Sequence, residues 1–306
     1  MKILITGTNG YLGKFLANYF KNDHDIYTIS RKQDQLSHVK KNFVGDLSDN
    51  IFVSSISLNV DVIINCAANT KHFDKFSKSY NDNCLSIKNL INNKNLDYHK
   101  LIHISTEAVF LDNKEIDVNE KSNYPKKNIS NYSHTKKLSE EYVKEYSTKN
   151  KRNFIILRTR LIWDSKNSPV FKKLDEAIKK KLFFLVDKGN YYTFATHIDN
   201  LALGIHRCMS NGKNQRTYFI TDGKPIKFNL LIDQILDSKG IHKNLISFPR
   251  YLIYMLCLIC DFIYILSFKK IRLPLSLSLY YLTMSKVNID DTFSKKELNF
   301  SPKTFY

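Results

Sequence analysis

A doubly wound, mostly parallel α/β sheet carrying a smaller, mostly helical part is the architecture this sequence predicts. Three observations carry it. Short β-rich apolar runs alternate with longer helical stretches up to about residue 160, a glycine-rich turn follows the first run, and beyond about residue 165 the alternation becomes irregular. The sheet domain is therefore drawn over 1–165, with 166–306 as a smaller part interleaved with it. At 306 residues and 43% apolar content the chain can bury a normal core, and no internal repeat or long linker divides it.

Taken in order, Lys2 to Ile5 reads as the first strand, with no signal peptide expected ahead of it. Tyr11 to Phe20 follows as a helix. Strands are then expected at Asp25 to Ile29, Val60 to Asn65, Leu101 to Ser105 and Phe154 to Leu157. Asp112 to Asn131 is polar and contains a proline, which reads as a loop, and Ser133 to Tyr146 reads as a long helix. The later part offers a helix over Lys172 to Lys181 and a strand-like run at Arg216 to Thr221.

The first turn is the strongest local signal. Thr6-Gly7-Thr8-Asn9-Gly10-Tyr11-Leu12-Gly13 joins the first strand to a helix, so Gly7, Gly10 and Gly13 allow a tight turn, backbone approach to a pyrophosphate and close helix–sheet packing. Asn9, Tyr11 and Leu12 belong to the same cradle. A dinucleotide is the expected ligand. At the end of the second strand Ile29-Ser30-Arg31-Lys32 holds a guanidinium in place of the acidic residue that suits NAD, which favours NADP, with NAD as the alternative. In Gly45-Asp46-Leu47, Asp46 is either an acceptor for the adenine amino group or a turn former.

Tyr132-Ser133-His134-Thr135-Lys136 sets a phenol and an ammonium on one face of a helix. A nearby fixed cation is expected to lower the phenol's pKa towards neutrality, so that it can exchange a proton with a carbonyl or alcohol. In a chain with 18 tyrosines the spacing alone says little. Its position does, because it follows a strand ending in His103-Ile104-Ser105-Thr106, whose hydroxyls are placed to hold a substrate oxygen.

Here the chain resembles the extended short-chain dehydrogenases/reductases over nearly its whole length. Thr6 to Gly13 is similar to the family's TGxxGxxG loop, Cys66-Ala67-Ala68-Asn69 to its nicotinamide-side segment, Ser105-Thr106 to its hydroxyl strand end, and Tyr132 with Lys136 to its YxxxK pair. The resemblance implies a Rossmann-type fold, Thr106 as catalytic hydroxyl, Tyr132 as acid/base and Lys136 as the cation that also binds the nicotinamide ribose. It implies further a structural or proton-relay role for Asn83, cofactor contacts at Cys66, Ala67 and Ala68, and a homodimer built on the long helices of the sheet domain. Leu157 to Trp163, Thr196 to Asn200, Tyr218 to Gly223 and Phe293 to Leu298 resemble the 3β-hydroxysteroid dehydrogenase-like branch, which implies a hydrophobic alcohol or ketone. Phe110 and Leu111 depart from that pattern where Tyr-Gly is usual, and so does Thr159 where proline is common.

Tyr251 to Phe268 is almost wholly apolar, broken by Asp261 and followed by Lys269-Lys270-Ile271-Arg272; a second apolar stretch, Leu273 to Met284, comes next. Over 251–284 three readings compete: a membrane span, a monotopic patch that admits lipid-like substrate, and buried helices over the active site. The charge of +18, from 47 Lys and Arg against 29 Asp and Glu, attracts polyanions in general. Without an aromatic-interleaved basic module it reads as solvated surface, with no nucleic acid expected.

Five scattered cysteines, including Cys257 and Cys260, point to a reducing compartment, hence the cytoplasm, in contact with the inner face of a membrane if the monotopic reading holds. Of the nine histidines only His99 and His103 stand at HxxxH spacing, and they run into the strand expected at Leu101 to Ser105, where residues four apart lie about 13 Å from each other, so no metal is expected.

The leading expectation is a nicotinamide-dependent oxidoreductase that interconverts hydroxyl and keto groups on a hydrophobic small molecule. A nucleotide-sugar epimerase or dehydratase with retained NAD is the alternative, with Arg158 and Arg160 as its candidate phosphate contacts. A non-catalytic NADP-sensing protein is the third.

Overall fold

The computed structural model describes residues 1–112, 116–164, 168–180, 183–237, 245–268, 270–271, 273–284 and 286–305. The expected boundary at 165/166, the helix end at Lys181, and Lys269 and Arg272 lie outside the described residues.

The central sheet has seven parallel strands: β1 (Lys2–Thr6), β2 (Asp25–Ser30), β3 (Lys41–Val44), β4 (Leu58–Asn65), β5 (Leu96–Thr106), β6 (Asn153–Thr159) and β7 (Arg216–Ile220). Their order is β7-β6-β5-β4-β1-β2-β3. The direction of winding reverses between β1 and β4, and at such a switch point the carboxyl ends of neighbouring strands open a crevice. Both faces are covered, which is why the strands read as continuous apolar runs. Ile3, Ile5, Ile64, Ile102 and Leu157 pack beneath α1 (Tyr11–Tyr19). Leu4, Ile63, Leu101 and Ile156 pack on the other face, against Ile87 and Leu90 of the helix Ser86–Asn92 and Val143 of α2 (Asn131–Lys149). Register decides reach. Asn65, the last residue of β4, pairs with His103, so the 11-residue β5 carries Ser105 and Thr106 beyond the level at which β1 and β4 end.

The structure departs from the sequence reading in four places. β3 has no counterpart in it, because Lys41-Asn42-Phe43-Val44 is a short, partly exposed edge strand with little apolar signal. Arg216–Ile220, read with the later part, completes the central sheet against β6. The expected loop from Asp112 to Asn131 contains a strand, Ile116–Val118, paired with Val287–Ile289 from the far end of the chain. Three residues are too few to show a period, and the partner is remote in sequence.

The fourth concerns the apolar segment. α3 (Ile198–Ser210) packs under the sheet, whereas α4 (Arg250–Leu266) sits on a small cluster of Val186, Ile253, Cys257 and Tyr280 together with α5 (Leu277–Thr283). The reading of 251–284 as wholly buried helices fails, because α4 buries only Ile253 and Cys257. Among the described residues no helix is long and apolar enough to cross a membrane.

Candidate active site

At the switch point a cavity of about 190 Å³ is lined by Gly7, Asn9 and Gly10 after β1, by Arg31 at the end of β2, by Asp46 and Leu47 after β3, and by Cys66, Ala67 and Ala68 after β4. Nine of the twelve expected cofactor-cradle residues thus share one crevice. Glycine is required here by close approach: a Cβ on Gly7, whose φ is +76°, would lie 2.8 Å from Ala67 Cα, and one on Gly13 would lie 2.6 Å from the Gly7 carbonyl oxygen. Helix α1 begins at Gly10 with no side-chain cap, so its first N–H groups are left for a ligand, which fits the pyrophosphate of a dinucleotide.

The other three cradle residues sit behind this surface. Gly13 backs the turn, Leu12 packs into the core beside β1, and the phenol of Tyr11 faces Asp164, where burial and that carboxylate raise its pKa. Asn9 is engaged internally. Its amide donates to the Lys32 carbonyl at 3.1 Å and to Asp34 at 3.0 Å, tying the glycine turn to the segment after β2.

Arg31 lies across the crevice, donating to Asp46 at 2.9 Å and to Asp82. Burial alone would raise the Asp46 carboxyl, but bonds from Ser48 and the Arg31 cation hold it below the usual carboxylate range.

Deeper in, a polar chain crosses the sheet. Thr6 donates to Asn65 at 2.6 Å, Asn65 meets His103 Nδ1 at 3.0 Å, and His103 Nε2 lies 3.0 Å from Ser139 and 3.3 Å from Lys136 Nζ. Fully buried, and next to the Lys136 cation, His103 has its pKa driven well down. Lys136 donates to the Ile104 carbonyl at 2.6 Å, and burial lowers its pKa to about 8. Beside it, burial pushes the Cys66 thiol up to about 12.

Tyr132 and Lys136 both lie on α2, with Thr106 at the end of β5 facing the helix. The expected lowering of the phenol pKa is overturned. Burial and then the Glu107 carboxylate push Tyr132 up, with only the Thr106 hydroxyl acting the other way, while the Lys136 ammonium is turned to the Ile104 carbonyl. Ser105 does not join the site, because its hydroxyl donates to Glu140 at 2.5 Å.

Asn83 sits in a π-helical stretch, Asn81–Leu85. It accepts from the Asn69 N–H at 2.6 Å and donates to Thr135 at 3.0 Å, clamping the segment after β4 to α2. Those bonds give it a holding role and leave the relay role without a contact.

Sequence reasoning missed Glu107 and His72 and misjudged Arg158 and Arg160. Thr106 donates to Glu107 at 2.8 Å, and Arg160 donates to the other Glu107 oxygen at 2.6 Å, all three side chains being buried. Arg158 is buried against Glu140 at 2.7 Å, with its guanidinium 4.6 Å above Phe110, the residue that departs from the family pattern. Both arginines are therefore engaged by internal carboxylates. The signal for these pairs was present only as residue types, since each pair joins distant elements.

The His72 ring stands edge-on to Tyr132 at 4.7 Å. Next to it, a second cavity of about 270 Å³ runs between His72, Phe73 and Ile129 on one side and Tyr264 of α4 with Leu273 and Leu275 on the other.

A family model described as the NAD dependent epimerase/dehydratase family matches residues 3–220. A 4-hydroxy-2-methyl-3-oxo-4-farnesyl-3,4-dihydroquinoline-1-oxide ketoreductase of Stigmatella aurantiaca is 23% identical, covering 98% of this chain and 92% of its own length. A 3beta-hydroxysteroid-dehydrogenase/decarboxylase isoform 2 of Arabidopsis thaliana is 25% identical over 84% of this chain and 48% of its own length. Among solved structures, a UDP-glucuronic acid 4-epimerase from Bacillus cereus in complex with NAD superposes with a TM-score of 0.73 at 18% identity, covering 99% of this chain and 94% of that one, which shows a shared fold.

Proposed function

The chain belongs to the NAD dependent epimerase/dehydratase family, and on that premise we propose that it is an NAD(P)-dependent oxidoreductase interconverting a hydroxyl and a keto group on a hydrophobic substrate. The observation that carries this reading is the cavity beside Tyr132, where Phe73, Ile129, Tyr264, Leu273 and Leu275 supply apolar surface among the polar Ser130, Asn131, Asp261, Ser276 and Ser278. Arg158 and Arg160, the candidates for a sugar diphosphate, are both held by buried carboxylates. The ketoreductase relative, whose name specifies a farnesylated keto substrate, supports the same class.

A bound nicotinamide dinucleotide supplies the hydride donor or acceptor. The protein's own groups handle the proton and the substrate oxygen. With its pKa raised, Tyr132 remains a protonated phenol at neutral pH, the form that donates to a keto oxygen. Thr106 is oriented by Glu107, which Arg160 holds in turn. Lys136, which donates to Ile104 O and acts electrostatically on Cys66, is the cation that would hold the nicotinamide ribose. Asn83 keeps that segment in register with α2.

NADP is the proposed form, because the Arg31 side chain is 55% exposed and a 2′-phosphate there would replace Asp46 as one of its two partners, with Asp82 keeping the other. On this reading Thr106 and Tyr132 act at the substrate oxygen, Lys136 at the cofactor side and Asn83 by holding the segment after β4, while Tyr11, Leu12 and Gly13 act through the shape of the turn.

The test is to denature the purified protein, identify any released nucleotide, titrate the untreated protein with NADPH and NADH, and screen long-chain keto compounds. An exchangeable site that prefers NADPH, together with turnover of an apolar ketone, is the expected outcome. Tightly retained NAD with turnover of a nucleotide sugar would replace this reading by the epimerase/dehydratase alternative.

A further inference from the structure

We propose that α4 and the basic segment after it form a monotopic docking surface for an anionic lipid layer, which holds the cavity beside Tyr132 one helix width from the membrane. This rests on the substrate reading above only for its purpose. The docking itself stands on three observations.

The first is exposure. Tyr251, Met255, Ile259, Phe262, Ile265 and Leu266 all face outward, and Phe262 is 60%, Ile265 66% and Phe268, just past the helix, 88% exposed. At 3.6 residues per turn the six positions on the helix fall within an arc of about 120°, a third of its circumference. Over 17 residues the apolar strip is about 25 Å long, larger than scattered surface residues account for.

The second is charge. Between Arg250 and Lys286 the one acidic residue is Asp261, and it accepts the Leu277 N–H at 3.0 Å on the inner side of the helix. Lys269, Lys270 and Arg272 follow the apolar strip directly, and Lys270 is exposed. An apolar strip that ends in cations with no exposed acid matches acyl chains bordered by anionic headgroups. A second copy of this chain, at +18, would bring like charge to the same contact.

The third is continuity with the site. Cys260, Asp261 and Tyr264, on the opposite side of the same helix, line the cavity that meets His72 and Asn131 beside Tyr132. Docking through the exposed strip would therefore hold that cavity one helix diameter, roughly 10 Å, from the lipid layer.

The test is co-sedimentation of the full chain with vesicles of phosphatidylcholine alone and of phosphatidylcholine mixed with phosphatidylglycerol, with the oligomeric state measured by light scattering. Binding to the mixed vesicles, weak binding to the neutral ones, and a loss of roughly fivefold per cation in K269S, K270S and R272S are expected. Phe262→Asp with Ile265→Asp should lower partitioning at least tenfold, with NADPH binding unchanged.

Wild-type protein that stays in solution with anionic vesicles overturns the proposal. So does an oligomer that falls apart in the Phe262→Asp, Ile265→Asp variant, which would make the strip a self-interface. Because partitioning needs no turnover, its failure is separable from failure of the oxidoreductase reading.

Discussion

Helices α2 and α4 invert the usual relation between composition and burial. α2, NYSHTKKLSEEYVKEYSTK, is polar yet buries Ser133, Thr135, Lys136, Ser139, Glu140 and Ser147. α4, RYLIYMLCLICDFIYIL, is apolar yet buries two side chains. The difference teaches where each helix finds its partners. Most of the buried polar groups of α2 are met, Glu140 by Arg158, Ser105 and Tyr124, Lys136 by Ile104 O, and Thr135 by Asn83, while the Ser147 hydroxyl has no hydrogen-bond partner. The apolar side chains of α4 outnumber what its small cluster can cover. In α2 burial is set by a polar network around a site, and in α4 an apolar surface is left uncovered.

The largest test of the comparison is Tyr132→Phe. Removing the hydroxyl from the active face of α2 should lower turnover of a keto substrate by about 10²–10⁴-fold while NADPH titration stays unchanged. Turnover within a few-fold of wild type would take Tyr132 out of proton transfer and revive the non-catalytic reading.

Glu140→Ala would leave the Arg158 guanidinium buried without its carboxylate, so urea unfolding should show a loss of about 3–5 kcal/mol. Little change would mean that water reaches and satisfies Arg158. Within α4 the contrast lies between its two sides. Ile253→Ala, at a buried position, should cost about 2–4 kcal/mol, whereas Ile265→Ala, at an exposed one, should stay within about 0.5 kcal/mol. Equal costs at the two positions would show that α4 is covered in solution.

The smallest effect is a slope with pH. Lys136 has a folded pKa of about 8 against an ordinary 10.5. Between those values the unfolded chain holds the extra proton, so this group makes the fold more stable as pH rises from about 8 to 10.5. The penalty is fully present below about 8. Relative to Lys136→Met, wild type should gain stability across this window by at most about 1.4 kcal/mol per pH unit. Parallel curves would show that Lys136 is not desolvated.

Much of the nucleotide half was legible in the sequence because its constraints are local. Gly7, Gly10 and Gly13 are dictated by a turn of eight residues, the core strands by unbroken apolar runs, and the Tyr132–Lys136 pair by one helical turn. Short edges such as β3 and Ile116–Val118 were not, since so few residues carry no period. The direction of the Tyr132 shift was misread for a related reason. Spacing on a helix shows that a cation is near, but not that its ammonium turns to the Ile104 carbonyl while a carboxylate from the end of β5 faces the phenol.

By itself, then, the sequence determined the sheet architecture, the dinucleotide cradle and the pair of residues on α2, all of which depend on patterns within a few turns of chain. Only the tertiary structure decided that Arg158 and Arg160 are held by Glu140 and Glu107, that Asn83 clamps a loop, and that the apolar run of α4 faces outward. The physical reason is the same in each case. Ion pairing, hydrogen bonding and exposure are relations between groups far apart in the chain, and they exist only once folding has brought those groups together or left them uncovered.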